Sequence, residues 1–223
     1  MTEYWLYRLF FIFLKLIGGL TLNTYQALSK TVIINKNNRL ISHDDSLQLV
    51  GTGRSAFVFR IKSSNKAIKL FFPTFAHLAN EEAEIYKKLQ GIAYYPSVYE
   101  EGLNYIVMDY IEGLTLFECM SLGKTITSAH QKEIDYALSL AVDQGLNPSD
   151  IHLRNIFITS KGDIRIIDVA RFRQMKDCRQ WTNLKKAYKQ FYSKRLFPKR
   201  IPAFILNIVS FLYKRGLIPY YRI

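Results

Sequence analysis

Between Asn147 and Arg171 the chain sets two short apolar runs, Ile156–Ile158 and Ile164–Ile167, on either side of Ser160, Lys161, Gly162 and Asp163, a turn composition. Two such runs joined by such a turn form a hairpin, and each has polar residues at one end. The hairpin thereby brings Asp150, Asn155 and Asp168 together. An amide and two carboxylates in one place supply hard oxygen donors for Mg2+ and a general base for a hydroxyl nucleophile. Any one of the three alone reads as an ordinary turn or capping residue; the chemistry lies in their convergence.

Upstream, Leu47–Gly51, Ala56–Ile61 and Lys66–Phe72 read as three strands, the last two joined through Lys62, Ser63, Ser64 and Asn65. The first connection runs Gly51-Thr52-Gly53-Arg54-Ser55-Ala56-Phe57-Val58, where glycines let backbone amides approach a phosphate with no Cβ in the way. A strand follows, not a helix, so this is not the dinucleotide-binding fingerprint. Lys69 sits inside the apolar run Ala67, Ile68, Leu70, Phe71 and Phe72, and a charge in such a place needs a partner. Lys66, at the start of the strand, reads as solvated. The helix expected over Ala76–Gln90 offers the partner: Ala79, Glu82, Tyr86 and Leu89 share one face, so Glu82 is an acid on the apolar side, while Glu81 and Glu84 fall on solvated faces. Two more strands follow, Val98–Glu101 and Asn104–Asp109, hinged at Gly102. From Tyr105 to Leu116 the chain leaves a strand through a short linker into helical patterning, and a long helix is expected from Ser128 to Gln144, ended by Gly145. A β-rich part that hands over to a helical part leaves a cleft between them, the default ligand position.

Composition limits the alternatives. At 223 residues, with 49% hydrophobic and 14% aromatic side chains, the chain is too apolar for disorder and long enough for a sizeable core. The net charge of +13 belongs to the tail: residues 171–223 carry 14 Lys and Arg against one acid, Asp177, while residues 1–170 are balanced. A uniformly basic nucleic-acid binder is therefore not expected, and Trp181, Tyr188, Phe191 and Tyr192 follow helical spacing and read as core. Cys119 and Cys178 are too few and too far apart for a disulfide framework or a four-ligand zinc site, and reduced thiols are expected. At the N-terminal end, Tyr4–Leu22 is apolar apart from Arg8, Lys15, Gly18, Gly19 and Thr21, and reads as an amphipathic helix on a membrane interface or on the protein's own surface. At the other end Lys199 and Arg200, an apolar run from Ile201 to Tyr213, then Lys214, Arg215 and Gly216 read first as a core helix. The flanking basic pairs make a peripheral membrane contact the alternative.

These residues, in this order, resemble the protein kinase superfamily across roughly Leu47 to Arg171. The glycine-rich loop, Ala67-Ile68-Lys69, the helical Glu82, the linker Val107-Met108-Asp109-Tyr110, Asp150 followed five residues later by Asn155, and the strand-borne Asp168 stand in family order. The resemblance implies an α+β, protein-kinase-like bilobal fold: an N-terminal extension over 1–44, a β-rich N-lobe over 45–110 and a reduced helical C-lobe over 111–223. It further implies that Gly51, Thr52, Gly53, Arg54, Val58 and Ala67 cover ATP and that Lys69, held by Glu82, contacts its phosphates. Met108 would stand at the back of the adenine pocket, with Asp109, Tyr110 and Ile111 presenting backbone to the base. Asp150 would be the catalytic base, and Asn155 and Asp168 would bind Mg2+.

The chain also departs from the family pattern. Pro148 and Ser149 replace the His-Arg that precedes the catalytic Asp, which argues against control by loop phosphorylation. Val169 and Ala170 replace Phe-Gly, Ala56 replaces the third glycine, and His152 stands where Lys is usual, as in aminoglycoside and sugar kinases. Only 52 residues follow Arg171, with no Ala-Pro-Glu motif, a reduction similar to RIO-type and lipopolysaccharide kinases. The implied activity is a serine/threonine protein kinase using ATP and Mg2+ on a hydroxyl acceptor. A lipid-sugar or small-molecule kinase and a nucleotide-binding pseudokinase are the alternatives. The expected location is cytoplasmic, with peripheral membrane contact on that face.

Overall fold

Short apolar segments rich in β-branched and aromatic residues build the main sheet of the protein in the computed structural model, which describes residues 24–62 and 64–218. A helix, α1 (Thr24–Thr31), and a small antiparallel hairpin, β1 (Ile33–Ile34) with β2 (Leu40–Ser42), precede it. The sheet comprises β3 (Leu47–Thr52), β4 (Ala56–Ile61), β5 (Lys66–Phe71), β6 (Val98–Glu101) and β7 (Tyr105–Asp109), in the antiparallel order β3-β4-β5-β7-β6. Between β5 and β6 lies α2 (His77–Leu89), whose buried face includes Ala79, Glu82, Tyr86 and Leu89, as its periodicity requires.

Each face of the sheet is covered by a different part of the chain. Phe57, Phe59 and Ile61 of β4 point to one side with Ile68, Leu70, Tyr105 and Val107, and there meet Val32, Tyr25, Leu28, Ile34 and Leu40. Residues 24–42, expected to belong to an extension, thus cover this apolar face. The helix expected over Tyr4–Leu22 lies outside the described residues. Ala56, Phe71, Ile106 and Met108 point to the other side, into a core shared with α2 and with the second half of the molecule.

That second half contains β8 (Gly113–Thr115), α3 (Leu116–Leu122), α4 (Ser128–Asp143), β9 (Ile156–Thr159), β10 (Ile164–Ile166), α5 (Gln180–Ala187), a π-helical turn at Tyr188–Tyr192 and α6 (Ala203–Lys214). Capping boxes start two of the helices, Thr115 with Glu118 at α3 and Thr127 with His130 at α4. The fold is mixed α+β, with a sheet-rich N-terminal region and a helical C-terminal part, consistent with a kinase-like fold.

Three elements of the fold differ from the sequence reading. The hairpin β9-β10 acquires a third strand, β8, where a linker was expected. Gly113 allows it, because a Cβ there would stand 2.5 Å from the Ile158 carbonyl oxygen. Gly113→Ala must push β8 from β9, and we expect it to lower unfolding stability by about 1–3 kcal/mol in denaturant titration. The second difference is α6, which is not a core helix: Leu206 is its one buried residue, while Phe204, Ile208 and Phe211 are 64%, 52% and 53% exposed. A twelve-residue helix after the last packed element has one edge to dock and no second layer above it among the described residues. Thirdly, of the four tail aromatics read as core, Tyr192 is buried, Trp181 and Tyr188 are partly buried against the core, and Phe191 is exposed. No helix among the described residues is long and apolar enough to cross a membrane.

Candidate active site

Two periodicities place the ion pair at the centre of the site. Alternation along β5 turns Lys69 to the same side as Val58, its partner on β4, and the helical repeat of α2 turns Glu82 to meet it. The Lys69 ammonium donates to both Glu82 carboxylate oxygens at 2.7 Å and to Asp168 Oδ1 at 3.2 Å. Glu82 is 1% exposed and Lys69 12%. Burial works against the lysine's charge, but the Glu82 and Asp168 carboxylates outweigh it and hold Lys69 above its ordinary range. Burial raises Glu82, with Lys69 opposing. Asp168 is pulled below the usual carboxylate range chiefly by Lys69. Lys66, expected to be solvated, instead donates to Tyr25 Oη at 2.9 Å and lies over the Tyr99 ring at 4.2 Å.

Asp150 and Asp168 share an unusual backbone. Their φ angles are +60° and +58°, in the left-handed region that non-glycine residues seldom occupy, and Asn38 is the other such residue described. Strain of this kind costs on the order of 1–3 kcal/mol and persists where surrounding contacts hold it. For Asp168 the contact comes from its N–H, which donates to Tyr86 Oη at 3.1 Å. Val169, fully buried, anchors the next position, and its carbonyl accepts from the Phe172 N–H at 2.9 Å. For Asp150, Asn155 Nδ2 donates to its carbonyl oxygen at 3.3 Å, and Arg171 Nε faces its carboxylate at 3.4 Å. The Ile167 N–H donates to the Asn155 carbonyl at 2.9 Å, tying the loop to the strand end that carries Asp168. Asp150 and Asn155 are thus joined directly, and Asn155 is joined to the residue before Asp168.

The remaining predicted residues belong to strands β3, β4, β5 and β7 of the main sheet, the turn between β3 and β4, and the linker after β7. Gly51 and Thr52 end β3, and Gly53 starts the turn into β4, its N–H donating to the Ala56 carbonyl at 2.9 Å, with Arg54 next to it. Ala67 on β5 pairs with Met108 on β7, both buried. In the linker, the Asp109 N–H donates to the Ser97 carbonyl at 3.1 Å and the Tyr110 N–H to the Asn65 carbonyl at 2.9 Å. Of the three linker amides, only that of Ile111 has no acceptor among the described residues.

His152 sits beside this cluster. Burial pushes its imidazole below the ordinary range against the pull of Asp150 and Asp168, and Lys214 and Arg154 add to the depression. A group depressed in this way binds protons more readily in the unfolded chain, so stability present above about pH 6.5 is lost as the pH falls. His152→Gln is expected to lessen the loss of stability between pH 7 and pH 5 measured by urea unfolding.

Three contributors went unread in the sequence. Tyr86 read as core filling, yet its hydroxyl accepts the Asp168 amide; its position one turn beyond Glu82 was the available signal. Arg171 faces Asp150. Arg154 stacks on the Phe117 ring at 3.5 Å and donates to Asn207 of α6 at 2.9 Å, linking the Asp150 loop to that helix.

The donor set suits a hard cation bound together with a polyanion. Asn155 Nδ2 is committed to Asp150, which leaves Oδ1 as the coordinating atom, and Asp168 Oδ2 has no protein donor among the described residues. Two protein oxygens do not make a metal cage, and no cluster of three or more ionisable ligands occurs among the described residues. A Mg2+ there must take further oxygens from water and from a phosphate-bearing partner. With Lys69 held beside it, the cluster can neutralise a polyphosphate and take a proton from a hydroxyl.

Relatives place the chain in a class. A Bacillus subtilis (strain 168) protein named "Putative serine/threonine-protein kinase YrzF" is 47% identical over 195 residues, a match covering 85% of this chain and 91% of that protein. No family model matches. At that identity and coverage the chain belongs to the protein kinase superfamily, a class of phosphate-transferring enzymes.

Proposed function

We propose that the protein is an ATP- and Mg2+-dependent kinase that transfers the γ-phosphate to a serine or threonine hydroxyl. The observation that carries this reading is the Lys69–Glu82 pair with Asp168 against the same ammonium: a buried, fixed cation beside a half-exposed carboxylate. Lys69 holds the α- and β-phosphates, and Glu82 holds Lys69. Asn155 and Asp168 would hold Mg2+, which would supply charge neutralisation at the transferring phosphate. Asp150 accepts the proton of the acceptor hydroxyl as its oxygen forms the new bond to phosphorus; the bond to the bridging oxygen breaks and ADP leaves. Val58, Ala67 and Met108 wall the base, and the Ile111 amide, with no acceptor among the described residues, suits a ring nitrogen.

The glycine loop adds support. Gly51 and Gly53 have ordinary φ, and a Cβ at either would meet the protein at no closer than 3.4 Å. The fold itself has no need of glycine there, whereas a phosphate approaching the amides does. Thermal melting tests the reading: ATP with Mg2+ is expected to raise the melting temperature more than ATP alone, and Asp168→Ala to remove the difference. A shift indifferent to Mg2+ would instead favour nucleotide binding without catalysis.

A further inference from the structure

Helix α6 turns its apolar side to solvent. Its docked edge carries the buried Leu206, Asn207, which accepts from Arg154, and Tyr213, whose hydroxyl accepts from Asn183 at 3.0 Å. At about 100° per residue, Phe204, Ile205, Ile208, Val209 and Phe211 fall on the opposite arc. They are 64%, 39%, 52%, 48% and 53% exposed. Five large apolar side chains on one arc form the kind of patch that marks an interaction surface. Cations bracket it, Arg200 before the helix and Lys214 and Arg215 at its C-terminal end, whereas the Lys199 ammonium donates to the Tyr192 and Lys194 carbonyls, and no Asp or Glu occurs after Asp177.

We propose that α6 seats the protein on an anionic lipid surface. The helix lies in the headgroup plane, with its exposed arc in the acyl boundary and the flanking cations on lipid phosphates. Twelve residues at about 1.5 Å each reach about 18 Å, short of the roughly 30 Å hydrocarbon core, so the helix lies on the membrane and does not cross it. Charge selects this occupant over the alternatives within the chain. A second copy would set the same cations against themselves, and segment 1–23, with Arg8 and Lys15 against Glu3, is also net positive. The inference rests on α6 and its flanks and is independent of the phosphotransfer reading.

The test is sedimentation of the full chain with vesicles of phosphatidylcholine alone and of phosphatidylcholine containing about one-third phosphatidylglycerol. Binding is expected to be roughly tenfold or more tighter on the anionic vesicles and to weaken with salt. Ile208→Glu combined with Phe211→Glu is expected to reduce it about tenfold or more with an unchanged melting temperature. Lys214→Gln with Arg215→Gln, which leaves the apolar arc intact, should erase much of the preference for anionic lipid. Equal binding to both vesicles would overturn the proposal. So would undiminished binding of the Ile208→Glu, Phe211→Glu variant, which would assign the contact to segment 1–23, or a dimer in lipid-free solution that the same variant dissociates.

Discussion

Lys69→Met is expected to destabilise the protein by about 3 kcal/mol or more, because it removes one member of a buried ion pair and strands the other. Glu82 is 1% exposed, and both its oxygens lie 2.7 Å from the ammonium; without that donor the carboxylate must shed its charge or admit water. The effect should depend on pH in a defined sense. Burial already raises Glu82 above 4.5 in the wild type, and loss of Lys69 raises it further. A carboxyl raised by folding contributes stability that is present below its unfolded pKa and lost as the pH rises through the folded one. The deficit of Lys69→Met relative to wild type should therefore be smaller at pH 5 than at pH 8 in urea titrations. Lys69→Met with Glu82→Leu should recover most of the stability and none of the phosphate transfer, which separates the structural role of the pair from its chemical one.

Asp150→Asn is expected to lower the turnover rate by about 10²–10⁴-fold, the usual worth of a general base, and to leave nucleotide affinity nearly unchanged. Asparagine suits this test because it tolerates the left-handed backbone at this position, where φ is +60°, and preserves the side-chain shape. The carbonyl that accepts from Asn155 is unaltered, so the loop should keep its form. Steady-state kinetics separate the outcomes: a fall in kcat with constant KM for ATP supports the base role, whereas unchanged kcat removes Asp150 from the proton transfer.

Much of this site was legible because two sequence patterns converge on it. An unbroken apolar run along β5 and period 3.6 along α2 each left one charged residue in apolar surroundings, and burial without partners is costly enough that the two had to meet. Asp150, Asn155 and Asp168 were legible because a short hairpin has few ways to arrange its ends. Strand β8 was not, since three residues carry no readable period. Nor was the commitment of the Asp109 and Tyr110 amides inside the sheet, which depends on cross-strand register. An apolar run such as Ile201–Tyr213 specifies a helix but does not say which side finds a partner. In α6 the docked edge is marked only by Leu206, Asn207 and Tyr213, and the contacts of Asn207 and Tyr213 with Arg154 and Asn183 join residues distant in sequence.

The central claim is that this cluster transfers the γ-phosphate of ATP to a hydroxyl. Its most direct test is incorporation of γ-labelled phosphate from ATP into the protein and lipid fractions of a cell extract, by the wild type and by Asp168→Ala. The account predicts Mg2+-dependent label on protein serine or threonine, absent with Asp168→Ala. Equal labelling by both proteins, or no transfer by either, would contradict it, and label confined to the lipid fraction would contradict the choice of a protein acceptor.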